Sequence, residues 1–327
     1  VLTKRELLSY DGILLAFSGG KDSIACYTKL IDMGVPPSKI QVHHHEIDGG
    51  PGAKSFMDWP CTPAYCEAFA KEFGLQYYPS WKVDGFYGEM MRDNELTKPT
   101  AFYTHEGELV TTGGCHGSKN TRKKFPQVTA SLMTRWCSAY LKIMVMDSLI
   151  NNQERFTRGK WLVVTGERAQ ESAARAKYEV FEPHRADRRD GKKVKRYIDH
   201  WRPVHDWKEE QVWEAMERHH ILPHPAYRLG WGRLSCMTCI FGSPNQWASV
   251  KKIDPARFEL MAKLEQDFGC TIHRTKNLYE RVENAKPYED MDPNLVIAAL
   301  TPAYDQSIIT LNWELPKGAF GESAGPT

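Results

Sequence analysis

The chain has 327 residues, 41% of them hydrophobic and 26% charged, with 43 Lys and Arg against 41 Asp and Glu for a net charge of +2. These values fit a globular chain of one large domain or two ordinary ones, and they exclude a polycation. No apolar run is long enough to span a bilayer, and the opening VLTKRELLSYDGILLAF lacks the layout of a secretory signal, so the expectation is a cytoplasmic protein without a membrane partner.

In chain order, 13–17 is a short apolar run ending in Ser-Gly-Gly and predicts a buried strand. Residues 23–33 have helical spacing, with Gly34 as the stop and Pro36-Pro37 beyond. A second strand is expected over 40–47, closing on Asp48-Gly49-Gly50. Thr62-Pro63 opens a helix that runs to about 73 and stops at Gly74. A third strand is expected over 75–81, a long helix over 130–151, and another buried strand over 161–165. Strands alternating with helices predict an α/β fold with a doubly wound, mostly parallel sheet. The second half is less regular. A helix is expected over 207–219, an irregular segment holding Cys236-Met237-Thr238-Cys239 over 222–242, and an amphipathic helix over 255–268. The tail beyond Pro316 is rich in Gly and Pro and is expected to fray. The expected division is a nucleotide-binding and catalytic domain over 1–250, which includes the CxxC segment, and a C-terminal helical extension over 251–327.

Ser18-Gly19-Gly20-Lys21-Asp22-Ser23, between a strand and a helix, has the makings of a phosphate loop. The two glycines let the backbone come close to an anion, and the loop amides and helix dipole favour negative charge there. Lys21 adds a point charge, and the hydroxyls of Ser18 and Ser23 add donors. Asp22 suits a loop that also binds Mg²⁺ or orients Lys21. The spacing is neither Walker A nor GxGxxG. It matches the SGGxDS pattern of the PP-loop ATP pyrophosphatases, which implies ATP cleaved at its α phosphate.

Eight cysteines without a secretory signal do not read as a disulfide framework. Cys137, Cys236 and Cys239 could hold three irons of a [4Fe-4S] cluster, and zinc fits the same spacing, with Cys115, His116 and Cys270 as further candidate ligands. Cys26 reads as core, and Cys61 and Cys66 as a poor chelating pair. His43, His44 and His45 alternate faces of a strand and cannot chelate as a unit. The stretch 185–196 (RADRRDGKKVKR) and the cluster Arg122-Lys123-Lys124 are candidate nucleic-acid contacts, with a solvated loop as the alternative. Trp201, Trp207 and Trp231 could line such a path or be core.

Several motifs then fall in one order: SGGKDS, Arg135-Trp136-Cys137 with Leu141-Lys142, Gly166-Glu167-Arg168 with Glu171-Ser172 and Arg175, and Arg233 before the CxxC. Over roughly 10–285 this resembles the phosphoadenosine-phosphosulfate reductase family of PP-loop proteins. The resemblance implies an adenine nucleotide alpha hydrolase-like fold that binds ATP and Mg²⁺. It implies catalytic roles for Lys21, Asp22 and Arg168. It implies nucleotide contacts from Ser18, Gly19, Gly20, Lys21, Asp22, Ser23, Asp48, Gly166, Arg168 and Arg175. Arg168 and Arg175 could instead be ion-pair partners of Glu167 and Glu171. The chain departs from true sulfonucleotide reductases: Cys137 is followed by Ser138, and Cys270 lies in FGCTIH without the family's Glu-Cys-Gly-x-His ending, where a helix stop followed by a strand fits better. It is more similar to the DndC-like and SspD-like sulfurtransferases of DNA phosphorothioation. That branch implies adenylation of a DNA backbone phosphate, sulfur from a cysteine desulfurase, an iron–sulfur cluster on Cys137, Cys236 and Cys239, and other phosphorothioation-system proteins as partners. The rival expectations are a sulfonucleotide reductase making sulfite and a zinc-containing nucleotide-binding module without turnover.

Overall fold

Alternation along the first strand sets the two faces of the sheet. In β1 (Gly12–Ala16), Ile13 and Leu15 pack to one side and Leu14 to the other, all fully buried. A strand covered on both faces needs such a run. The computed structural model describes residues 2–129 and 131–322. Within them, β1 is joined by β2 (Ile40–Glu46), β3 (Gln76–Lys82), β4 (Thr100–Tyr103), β5 (Leu109–Thr112), β6 (Lys160–Val164), β7 (Phe181–Pro183) and β8 (Tyr197–Trp201). The spatial order is β5-β4-β3-β2-β1-β6-β8-β7. The five central strands, β3 to β8 in that order, are parallel, while β4 and β5 on one edge and β7 on the other run antiparallel.

The helices are α1 (Lys4–Leu8), α2 (Lys21–Asp32), α3 (Thr62–Glu72), α4 (Gly85–Met90), α5 (Trp136–Ser138) and α6 (Met144–Asn151). They continue with α7 (Glu209–Arg218), α8 (Pro225–Arg228), α9 (Pro244–Ile253), α10 (Pro255–Phe268), α11 (Leu278–Val282) and α12 (Pro293–Leu300). Ile24 and Leu30 of α2, Phe69 of α3, and Val212, Trp213 and Met216 of α7 pack with Ile13, Leu15, Val42, Leu162 and Val164 on one face. Met146, Leu149 and Ile150 of α6 meet Leu14, Phe102, Val163 and Ile198 on the other. The sheet is therefore doubly wound, as the alternation of elements predicts. A separate apolar cluster joins Trp59, Phe86 and Trp136 to Trp231, Met237, Trp247, Phe258 and Met261, so α9 and α10 share a core with segments from early in the chain.

The chain leaves β1 toward β2 and β3, then returns to lay β6 on the opposite side of β1. The strand order reverses there. In open α/β sheets ligands bind in the crevice beyond the C-terminal ends of the strands at such a reversal, here the ends of β1 and β6. Among the described residues no helix is long and apolar enough to cross a membrane.

Three expectations are corrected. The helix expected over 130–151 begins only at Trp136, passes through a π turn over residues 139–143 and resumes as α6; Ala130 lies outside the described residues. Before it, hydroxyls capture the backbone: the Ser131 amide donates to Thr129 Oγ1 at 3.2 Å, and Thr134 Oγ1 to the Ser131 carbonyl at 3.4 Å. After α10, Gly269 takes the left-handed conformation (φ 61°) and ends the helix as expected, but no strand follows. The Ile272 amide is captured by the Glu265 carboxylate at 2.7 Å, and Cys270 is exposed. The segment 317–322 does not fray. The Gly318 amide donates to the Tyr227 carbonyl at 2.8 Å, and the Glu322 carboxylate accepts from Asn245 at 2.7 Å and from Ser243. Residues 323–327 of that tail lie outside the described residues.

Candidate functional site

The loop Ser18–Ser23 leaves β1 at the point where the strand order reverses. Gly19 has φ +74°, a left-handed turn that brings the chain round to Gly20, the N-cap of α2. The loop is braced from within. The Gly20 amide donates to Ser18 Oγ at 3.3 Å, the Ser18 amide to Ser23 Oγ at 3.4 Å, and Ser23 Oγ to the Gly20 carbonyl at 2.8 Å. From outside, Tyr227 covers it: the Lys21 amide donates to the Tyr227 hydroxyl at 3.1 Å, and so does the Leu234 amide at 3.1 Å.

The loop after β6 meets it. A Cβ on Gly166 would lie 2.8 Å from the Asp22 carbonyl oxygen, so only glycine allows this approach. Two residues on, Arg168 Nε donates to Asp22 Oδ1 at 2.5 Å, while Nη1 donates to Gln170 Oε1 at 2.7 Å. Burial would raise the Asp22 pKa, but Lys21, Arg168 and Arg233 together hold the carboxyl below its ordinary range. Arg175 pairs with Glu171, as the ion-pair alternative has it, whereas Arg168 pairs with Asp22 rather than Glu167. Glu167 lies 3.5 Å from Arg202 instead.

Lys21 turns away from the crevice. Its ammonium donates to the Gly232 carbonyl at 3.0 Å, lies 3.5 Å from Glu209 Oε1, and sits over the rings of Trp213 and Tyr227 at 5.7 and 5.5 Å. The side chain is buried, which disfavours its charge, yet Tyr227, Asp22 and Glu209 outweigh that and raise its pKa. The structure thus ties Lys21 between α7 and the 227–234 segment. The Asp48 carboxylate is likewise engaged, accepting from the amides of Phe56 at 2.8 Å, Met57 at 2.9 Å and Asp58 at 2.8 Å, so it organises the loop after β2. Next to it Asp58 is pushed up to about 7 by burial and the Asp48 charge.

The cysteines come together on this same end of the molecule. Cys137 is pushed up to about 11, chiefly by burial and then by the nearby Cys239, and Cys236 well above its ordinary value by burial, Asp58 and both other thiols. Among the described residues, however, no three His, Cys, Asp or Glu side chains converge closely enough to hold a metal ion. As placed, Cys137, Cys236 and Cys239 share one locality without forming a ligand set. Cys26, Cys61 and Cys66 are buried. His224 receives the Ala226 amide on Nδ1 at 3.2 Å, so its proton is on Nε2, which faces Cys61 Sγ at 3.4 Å and Thr62 Oγ1 at 3.3 Å. The three strand histidines are separately engaged: His44 with the Phe17 carbonyl at 2.9 Å, His45 with Ser80 at 2.7 Å, and His43 stacked on Tyr78.

Beside the thiols stand three arginines, of which the expected site named Arg175 and omitted Arg135 and Arg233. Arg135 lies within electrostatic reach of Arg175, Arg233 and Cys137, and Arg233 also reaches Asp22. Nε and Nη1 of Arg135 are buried with no hydrogen-bond partner. Two buried guanidinium N–H groups without an acceptor, among like charges, are suited to an anion. Arg135 and Arg233 belong to the motifs that flank Cys137 and Cys236, and that adjacency was the available signal. Tyr227, Glu209 and Gly232 had none, because each reaches the loop from a position about 190 residues or more downstream.

The basic stretch 185–196 lies elsewhere. It directly precedes β8, whose first residue pairs with Lys160 at the start of β6, so it sits at the N-terminal end of the parallel strands and the crevice at the other. Much of it is structural: Arg185 pairs with Asp147 at 3.0 Å, Arg189 with Asp199 at 2.6 Å, and Arg196 donates to Asn151 Oδ1 at 2.6 Å. Lys192, Lys193 and Lys195 are exposed. In the other cluster, Arg122 stacks over Trp136 and Tyr140 at 4.4 and 4.7 Å, and Lys123 pairs with Asp93 at 2.5 Å. Trp201 and Trp231 are core, and Trp207 is partly buried against it under Lys29.

Residues 114–241 match the family described as phosphoadenosine phosphosulfate reductase domain, a stretch that holds all three thiols and the Gly166–Arg175 motif. An uncharacterised 37.8 kDa protein of Escherichia phage 186 is 32% identical over 158 residues, which is 48% of this chain and 43% of the phage protein. The chain therefore spans less than half the length of that relative. Two crystal structures of Candida glabrata FMN adenylyltransferase are similar at a low level. One, with FMN and an ATP analogue, has 11% identity and a TM-score of 0.38 over 69% of this chain and 55% of that one. The other, with FAD and inorganic pyrophosphate, has 13% identity and a TM-score of 0.40 over 94% and 80%.

Proposed function

We propose that this protein is an ATP pyrophosphatase that adenylates a phosphate group, in the DNA backbone, and so prepares it to receive sulfur. The observation that carries the reading is the meeting, at one end of one sheet, of the Ser18–Ser23 loop, the thiols of Cys137, Cys236 and Cys239, and the guanidiniums of Arg135, Arg175 and Arg233. A non-bridging phosphate oxygen is a poor leaving group, and transfer of AMP to it makes it a good one. The loop amides and the N-terminus of α2 favour the departing pyrophosphate. The arginines supply the positive charge that Lys21, turned to Gly232, does not direct at the crevice in this conformation. The match of residues 114–241 to a sulfonucleotide-reducing family supports sulfur chemistry at the thiols.

Within this reading Mg²⁺ neutralises the nucleotide phosphates, with Asp22 as the nearest carboxylate of the loop. A cysteine desulfurase supplies the sulfur, and the other proteins of a phosphorothioation system deliver the DNA. An iron–sulfur cluster on Cys137, Cys236 and Cys239, or zinc in its place, would need the thiols drawn together from their present positions. The test is product analysis. Incubated with ATP, Mg²⁺ and DNA, the protein is expected to release AMP and pyrophosphate; ADP and inorganic phosphate would overturn the assignment.

A further inference from the structure

The buried hydroxyl of Tyr227 carries a hydrogen that meets no acceptor among the described residues. Its ring is 1% exposed and packs edge-on against Trp213, with centroids 5.2 Å apart and planes at 89°. That packing fixes where the oxygen lies. A phenol oxygen has two acceptor sites and one proton. Both acceptor sites are filled, by the amides of Lys21 and Leu234 at 3.1 Å each. Among the described residues no acceptor takes the proton. A buried donor left without a partner is costly, and the cost disappears when an acceptor arrives.

The surroundings say which acceptor. A Cβ on Gly20 would lie 3.3 Å from the Tyr227 oxygen and 3.2 Å from Ser18 Oγ. The two hydroxyls thus converge on one space over Gly20, whose third wall is Leu234 Cβ at 3.4 Å from the same point. That space lies at the N-terminus of α2, a twelve-residue helix whose dipole favours an anion. An oxyanion there would receive donors from both hydroxyls, and Lys21 does not compete for the place because its ammonium is held by Gly232 and Glu209.

We infer that Tyr227 is a phosphate-binding residue of this site, donating its hydroxyl proton to a pyrophosphate oxygen of the nucleotide while its oxygen holds the amides of Lys21 and Leu234. The inference rests on reading Ser18–Ser23 as a phosphate cradle and adds to it a group from the far side of the sequence. It has one further implication. Leu234 stands two residues before Cys236, so an anion bound to Tyr227 bears on the segment that carries two of the three thiols.

Pyrophosphate and adenosine binding, measured by calorimetry on the full chain, separate the possibilities. Tyr227→Phe is expected to weaken pyrophosphate by about tenfold or more, the usual worth of a hydrogen bond to a charged acceptor, and to leave adenosine within about twofold. Unchanged pyrophosphate affinity would overturn the inference. Because Phe also deprives two amides of their acceptor, a second variant carries 3-fluorotyrosine at position 227. Fluorination makes the phenol a better donor and a poorer acceptor. If Tyr227 donates to the anion, pyrophosphate binds more tightly; if its role is only to accept the two amides, binding is unchanged or weaker, and the inference falls. Absence of pyrophosphate binding by the unsubstituted protein would remove the cradle reading itself, and with it this inference.

Discussion

Gly166→Ala is expected to slow pyrophosphate release by about a hundredfold while the protein still folds. The added methyl would sit 2.8 Å from the Asp22 carbonyl oxygen and 2.9 Å from its carbon. Both are backbone atoms, so no side-chain rotation relieves the clash. Gly166 follows β6, which is bonded on both sides in the middle of the sheet, so the displacement falls on the Ser18–Ser23 loop. A shift of about 1 Å in a catalytic loop costs about a hundredfold in rate. The same shift loosens the Arg168–Asp22 pair. The check is steady-state pyrophosphate release together with a thermal melt; a rate within about threefold of the unsubstituted protein, with normal melting, would show that the close approach is not needed.

The second large effect is on stability and concerns Glu89. This side chain is fully buried and receives Arg92 at 3.1 Å, Arg122 at 3.4 Å, the Lys98 amide at 3.3 Å, and the Thr97 hydroxyl. Lys82, also buried, stands close by, with its pKa lowered by burial and by Arg92 against the pull of Glu89. Among the described residues, Glu89 is thus the carboxylate that balances this group of cations. Glu89→Gln keeps the shape and removes the charge, and leaving buried cations uncompensated costs about 3–5 kcal/mol. Denaturation in urea should show a loss of that order; less than about 1 kcal/mol would mean that water reaches the cluster. Because Arg122 covers Trp136, the neighbour of Cys137, the variant should also make Cys137 react faster with a thiol reagent.

The sequence revealed most where the cause is local. The apolar runs of β1 and β6, the Gly-Gly turn after 13–17, and the span of α10 from Pro255 to the stop at Gly269 each depend on neighbours within a few residues, and each lies within a residue or two of expectation. The switch point follows from the order of strands and helices, so the phosphate loop could be placed before its contacts were known. What sequence could not show is where long side chains end. Lys21 has the composition of a phosphate ligand, yet its ammonium is captured by Gly232 and Glu209, 211 and 188 positions along the chain. Asp48 stands at the expected strand end, but its carboxylate folds back on the next ten residues. The β4–β5 hairpin was missed because β5 is short and half-exposed, without a continuous apolar run. The π turn at 139–143 lies inside a sequence with ordinary helical periodicity. Tyr227 acts through one oxygen, which leaves no periodic trace.

The basic hairpin has a consequence of its own. It begins β8 rather than ending it, and the five-residue strands β6 and β8 put about 16 Å of sheet between its lysines and the nucleotide crevice. The two features therefore lie at opposite poles, one where we propose that amides and hydroxyls hold a compact anion, the other presenting the exposed ammonium groups of Lys192, Lys193 and Lys195 to bulk solvent. On the function we propose, a long polyanion drawn to the second pole leaves the first open, so holding a strand and working on one of its phosphates would fall to opposite ends, and a strand that met both would curve around the edge of the sheet.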